Sequence, residues 1–374
     1  DGKEDPKLFN PTALDARQWV QALKAAGIKL LILTAKHHDG FCLWPSRYTE
    51  HSVKNSPWRE GKGDVVREVA QACREGGLKF GVYLSPWDRH EPSYGDSPAY
   101  NEHFRNQLRE LLTHYGEVAE VWFDGACGEG PNGKRQEYDW LSYYRLVRQT
   151  QPHALIAICG PDVRWVGNED GLARENETSV QPIGKDSWSR DMHPGKQWIW
   201  HPAECDVSIR PGWFYHPAED TKVKSLEQLL EIYCQSVGRN SVLLLNVPPD
   251  RRGLIHENDV QRLAELGAAI QRRFSRSLAE THGQGQSVEL KLSSPAKIDQ
   301  AILMEDIRQG ERVRGYVLEV LQPDGWKEVR QGAVIGHKQI IRFPPLEASA
   351  VRLRVTACLA EPRIRKLAVY SVGP

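Results

Sequence analysis

The sequence predicts an α/β fold: a (β/α)8-like barrel followed by a C-terminal antiparallel β-sandwich. Three observations carry that expectation. Short strand-like runs alternate with helical patterns as far as about residue 275. The runs are continuously apolar, as parallel strands buried on both faces are. Beyond His282 the pattern changes to short alternating segments split by turn residues, the mark of an antiparallel sandwich. At 374 residues the chain exceeds one ordinary domain, so we expect a barrel over 1–278 and a sandwich over 279–374.

The barrel strands are read from IKLLILTA (28–35), LKFGVYLS (78–85), EVWFDGA (120–126), ALIAICG (154–160) and SVLLLNV (241–247). Helices fall between them. Asn10-Pro11 offers a helix start with proline in the first turn. Asp64 can cap DVVREVAQACREGG, which Gly76-Gly77 end. Ser97-Pro98 opens a helix to about His114, and 137–150, 225–237 and 256–274 read as further helices. Residues 161–224 are less regular and rich in Trp, Pro, Gly and Asp. A long irregular segment in a compact fold is usually functional, so it is expected to wall the site. SVELKLS, DQAILMED, RGYVLEVLQ, QIIRFPP, SAVRLRVTA and IRKLAVYSV supply the sandwich strands.

Composition excludes several function classes. Lys+Arg and Asp+Glu both number 49, so no basic field exists to hold nucleic-acid phosphates. No GxGxxG or Walker pattern opens a helix, and no run is apolar and long enough to cross a membrane. Seven cysteines stand singly without zinc-ligand spacing, which reads as buried free thiols. Twelve Trp and twelve Tyr suit a groove that stacks on sugar faces.

In such a barrel the reactive groups hang from the C-terminal strand ends. Those ends carry His37, His38 and Asp39; Tyr83, Trp87 and Asp88; Trp122 and Asp124; Arg164 and Glu169. Asp124 follows an apolar strand directly and shares a face with Trp122. Locally it also fits a helix cap or a turn aspartate before Gly125. Glu169 lies in RWVGNED, with Glu175, Glu177 and Glu204 as competitors. Two carboxylates among aromatic rings are the minimal apparatus for glycoside hydrolysis, and a dry aromatic wall can raise one pKa while the other group stays ionised. A metal at His37, His38 and Asp39 is the alternative. It is weakened because adjacent histidines of an extended chain point to opposite sides and HEXXH spacing is missing.

AKHHDGFCLWPS, GVYLSPWD, VWFDGACGEGPNG, RWVGNEDG, DVSIRPGWFYH and LLLNVPPDRRGLI together resemble glycoside hydrolase family 29, the retaining α-L-fucosidases. They are most similar to the branch acting on α-1,3/4-linked fucose in Lewis-type glycans. The resemblance runs in order through almost the whole chain, including ILMEDIRQGERVRGYVLE and the IGHK segment. It implies Asp124 as nucleophile and Glu169 as acid/base. It makes His37 and His38 ligands of fucose hydroxyls, and Tyr83, Trp122 and Trp213 the lining of the sugar pocket. A retaining pair should have carboxyl groups roughly 5–5.5 Å apart. The resemblance further implies a fucosylated oligosaccharide as partner, no cofactor and no metal. The substrate class favours a periplasmic or secreted setting, although no signal is visible. The family's barrel begins with a strand carrying a His and then a Glu-Trp pair, whereas DGKEDPKLFNPTALDARQW resembles the stretch immediately C-terminal to that pair. The first strand is therefore expected to lie outside this chain, which keeps open a non-catalytic protein that binds fucosylated glycans. The sandwich is expected to support the barrel rather than bind sugar itself.

Overall fold

The computed structural model describes residues 1–184 and 187–373. Among these described residues seven parallel strands form the barrel wall: β1 (Leu30–Lys36), β2 (Lys79–Leu84), β3 (Glu120–Phe123), β4 (Leu155–Ile158), β5 (Arg164–Trp165), then, after the antiparallel pair β6 (Val180–Pro182) and β7 (Trp198–Trp200), β8 (Ala203–Ser208) and β9 (Val242–Asn246). Their order is β1-β2-β3-β4 and β5-β8-β9, joined by a parallel bridge between Ala157 and Val163. Among the described residues β1 and β9 are the two edges of this wall.

Helices α1 (Ala16–Ala25), α2 (Val65–Gly76), α3 (Ser97–His114), α4 (Trp140–Thr150), α5 (Ser187–Met192), α6 (Leu226–Gln235) and α7 (Glu257–Phe274) complete the α/β unit. The helical layer closes where the strands do not, because α7 packs on α1. The approach is so close that a Cβ on Gly267 would lie 1.9 Å from the Ala25 carbonyl oxygen. Asp64 caps α2 through the Arg67 amide, and Gly77 ends it at φ +72°, as the sequence predicts. The first helix starts later than predicted. Asp15, not Asn10-Pro11, caps α1 by accepting from the Arg17 and Gln18 amides, since an aspartate oxygen satisfies two otherwise orphaned donors.

The larger departure is β8. AECDVS is a fully buried barrel strand inside the segment read as irregular. Its acidic residues face inward, so it lacks the continuous apolar run used to recognise the others.

The C-terminal unit is one antiparallel sheet in the order β10-β15-β11-β14-β12-β13. Its strands are β10 (Ala279–Gln284), β11 (Ser287–Glu305), β12 (Val313–Gln322), β13 (Gly325–Gly332), β14 (Gln339–Cys358) and β15 (Arg363–Tyr370). Register breaks between Lys291 and Ala296 and between Ile298 and Gln300 interrupt the pairing of β11 with β14. Such irregularities bend a strand, and residues from both halves of each long strand fill one core, among them Val288, Leu303, Ile341 and Leu353.

Candidate active site

Residues i, i+2 and i+4 of a strand share a face, so Glu120, Trp122 and Asp124 of β3 and its end point into the barrel together. Tyr83 is in register with Trp122 and stacks on it with ring centroids 5.1 Å apart. His37 stacks on Tyr83 at 5.6 Å, and the edge of Phe214 meets His37 at 5.0 Å. His38 lies against His37 at 3.9 Å and Trp87 at 4.7 Å. The result is a continuous aromatic wall running from the strand interior to solvent.

Asp124 stands at the mouth of this wall. Its Oδ1 accepts from the Ala126 amide at 2.7 Å and its Oδ2 from the Tyr83 hydroxyl at 2.7 Å. The local reading as a turn aspartate fits one oxygen, which the Ala126 amide fixes, while the tyrosine aims the other. Burial, then the Asp124 charge, pushes the Tyr83 phenol well above its ordinary pKa, so it remains a donor.

The tautomer of His38 is set by its partners. Ser85 Oγ donates to the Trp87 carbonyl at 2.7 Å, which uses its only hydrogen. At 2.7 Å from that oxygen, His38 Nδ1 must be the donor. Nε2, 3.8 Å from Asp124 Oδ2, is left as an acceptor in the neutral ring. Burial, then the neighbouring His37, lowers the His38 pKa to about 4, and burial lowers that of His37. The turn behind them needs glycine at position 40, where φ is +78° and a Cβ would lie 2.5 Å from an Asp88 oxygen.

The remaining carboxylates sort by surroundings. Glu175 pairs with Arg330, and buried Glu177 pairs with Arg164. Arg164 opens β5 and turns toward Glu177 and the His201 carbonyl, so it is not the strand-end site residue the sequence suggests. Glu204 is 2% exposed and accepts from Trp122 Nε1 at 2.7 Å, below the indole. Glu169 is exposed, in a loop organised by Asn168, whose side chain bonds Asp170 and Leu172. A group within reach of the charges of both Glu169 and Asp124 was missed by sequence reasoning. Asp206 on β8 accepts from Trp165 Nε1 at 2.8 Å, and its pKa rises to about 6 through burial, with the charges of Glu169 and Asp124 adding to it. Ser85, Trp165 and Phe214 were missed too. For Phe214 the signal was RPGWFYH, where Trp213 was preferred. Trp213 is held by its carbonyl, which accepts from Asn246, and the ring on His37 is its neighbour's.

The proposed metal set also changes. Asp39 Oδ1 is engaged by the Phe41 amide at 3.0 Å. Among the described residues the ligand atoms lying within 4.8 Å of one another belong to His37, His38 and Asp124. Two ring nitrogens and a carboxylate are a donor set that zinc accepts.

The α-L-fucosidase family profile matches residues 3–273. Alpha-L-fucosidase 1 of Arabidopsis thaliana is 41% identical over 416 residues, covering 99% of this chain and 81% of that protein. A glycoside hydrolase 29 family member from an unknown rumen bacterium superposes with a TM-score of 0.92 at 46% identity, over 100% of this chain and 72% of that one. A Ruminococcus gnavus GH29 fucosidase solved in complex with fucose has a TM-score of 0.89 at 30% identity, over 99% of this chain and 88% of that one. A barrel lined this way, matched along its whole length, belongs to glycoside hydrolase family 29, and the chain is an α-L-fucosidase.

Proposed function

We propose that the chain is a retaining exo-enzyme that releases terminal α-1,3/4-linked L-fucose from branched Lewis-type glycans by double displacement. Residues 1–278 carry catalysis and 279–374 support them. The observation that carries this reading is the Asp124 carboxylate, oriented by Tyr83 and Ala126 beside a neutral histidine pair. Asp124 attacks the anomeric carbon while Glu169 gives its proton to the departing glycosidic oxygen. Glu169, now a carboxylate, takes a proton from water. The hydroxide so generated attacks the same carbon and releases Asp124. The remaining candidates are occupied: Glu175 and Glu177 by arginines, Glu204 by Trp122. His37 and His38 receive the sugar hydroxyls. Tyr83, Trp122 and Trp213, with Phe214, offer apolar surface to a deoxy sugar, whose methyl group has no hydrogen bond to make.

The test compares a Lewis-type trisaccharide with an aryl fucoside. Asp124→Ala should lower kcat by more than about 10³-fold, and azide should rescue it as a fucosyl azide of inverted configuration. Glu169→Ala should lose ~10²–10⁴-fold on the trisaccharide and far less on the aryl fucoside, whose leaving group needs no proton. Full activity of Glu169→Ala on the trisaccharide would move the acid/base role elsewhere. The His37–His38–Asp124 cluster favours a second reading, hydrolysis assisted by a divalent ion. It requires that chelation abolish turnover and that the metal restore it.

A further inference from the structure

Beneath the site, β3 and β8 aim two glutamates at each other across the barrel. Glu120 is 4% exposed and Glu204 is 2% exposed. Their neighbours in register are Gly81 on β2 and Leu155 on β4 for Glu120, and Trp165 on β5 and Val242 on β9 for Glu204. None of these supplies a cation. Among the described residues the other charges that reach them are acidic: Asp162, engaged by Arg148 at 2.6 Å, and Asp206. Glu204 Oε1 accepts from the Trp122 indole, whereas Glu120 Oε1 is buried with no hydrogen-bond donor of its own. Two carboxyl groups in this position cannot both be ionised; a proton between them satisfies an otherwise orphaned oxygen.

We propose that Glu120 and Glu204 form a positioning unit that shares one proton and, through the Trp122 indole, fixes the stack of Trp122 and Tyr83 that aims Asp124. The connection is continuous: Glu204 holds Trp122 at 2.7 Å, Trp122 stacks on Tyr83 at 5.1 Å, and Tyr83 donates to Asp124 at 2.7 Å. Neither glutamate touches the substrate, because the indole lies between. Burial and the charge of Glu204 raise the Glu120 pKa, and burial raises that of Glu204. The pair therefore keeps its proton well above the ordinary carboxyl range. When that proton leaves, two dry carboxylates repel and the acceptor of Trp122 is displaced.

The proposal rests on Asp124 as the reacting carboxylate, so Asp124→Ala is measured alongside. If that variant stays active, the reading of the reaction fails; the variants of the glutamates and of Trp122 concern only the pair. Glu120→Gln supplies a permanent amide donor to Glu204 and cannot ionise. Its alkaline limb of kcat/KM should move to higher pH. Glu204→Leu strips Trp122 of its acceptor and should lower kcat by ~10–100-fold with little change in KM. The loss should not multiply with that of Trp122→Phe in the double variant. Glu204→Gln, which retains an acceptor oxygen and the shape of the side chain, should recover most of the activity. An alkaline limb unmoved in Glu120→Gln, or losses from Glu204→Leu and Trp122→Phe that multiply, would overturn the proposal.

Discussion

His38 illustrates how much chemistry one neighbour can settle. The hydroxyl of Ser85, already committed to the Trp87 carbonyl, makes Nδ1 the donor and leaves Nε2 to receive a sugar hydroxyl. Truncation to Ala removes that acceptor, so His38→Ala should raise KM by ~10–100-fold, the worth of one or two hydrogen bonds in a half-buried site. His38→Gln, whose amide reaches the Nε2 position, should recover part of it. Steady-state kinetics on an aryl fucoside decides, and an unchanged KM in the Ala variant would remove His38 from sugar binding. Acid should act through the same ring. The folded pKa lies near 4, below the ordinary 6.5, so the native chain binds fewer protons than the unfolded chain between those values. The stability contributed by the neutral ring is therefore lost as pH falls through that window, and substrate affinity should fall as His38 protonates near its lower edge. At this scale the sequence was informative wherever a residue sat at a recognisable strand end, as His37, His38, Tyr83 and Asp124 do. It was silent on Ser85, Trp165 and Asp206, because their roles exist only through partners that folding brings from other strands.

Among elements, β8 shows why an apolar rule misses barrel strands. A strand that lends carboxylates to the lumen must interrupt its own hydrophobic run, so Glu204 and Asp206 hid the element that carries them. The strands β1, β2, β3, β4 and β9, and helices α2 and α3, were legible because their lumen or outer faces remain apolar or their caps are explicit. The loop after β8 carries Phe214 to His37, and its position depends on Arg210. That side chain is fully buried, paired with Asp259 of α7 through Nε and Nη2 and with Asp220 at 2.9 Å. Asp259→Ala leaves a buried guanidinium short of its partner, which should destabilise the fold by ~3–5 kcal/mol. Because the same clamp holds the Phe214 loop, KM should also rise in whatever fraction stays folded. Denaturant unfolding and kinetics on the same preparation check both. A stability loss with unaltered KM would show that the clamp serves the helix and not the site.

For the molecule as a whole, the sandwich reaches into the segment that walls the site. Glu311, ahead of β12 and 3% exposed, accepts from the Ser179 amide at 3.0 Å, the Thr178 hydroxyl at 2.6 Å and the Asn240 side-chain amide at 2.6 Å. Asn240 in turn accepts from the His337 amide and donates to the Glu177 carbonyl. Glu175 and Asn176 add bonds to Arg330 and Ala333. The stretch 175–179, between β5 and β6, is thus held by side chains and amides from 311 to 333 of the other unit. The bonds from 175–179 to 311–333 join parts of the chain more than a hundred residues apart, and nothing in local pattern or periodicity could have announced them. Removing the central acceptor leaves the buried Ser179 amide without a partner and takes one of two acceptors from the Asn240 amide and the acceptor of the half-buried Thr178 hydroxyl, at ~1–3 kcal/mol for a single unsatisfied group. Glu311→Ala should therefore lower the unfolding midpoint and weaken the coupling of the two units, so that calorimetry resolves two transitions where the parent has one. Glu311→Gln, which keeps one acceptor oxygen, should fall between them. If Glu311→Ala unfolds in a single transition at the parental midpoint, the carboxylate does not join the two units. The support of the site wall would then have to come from the Arg330 and Ala333 contacts alone.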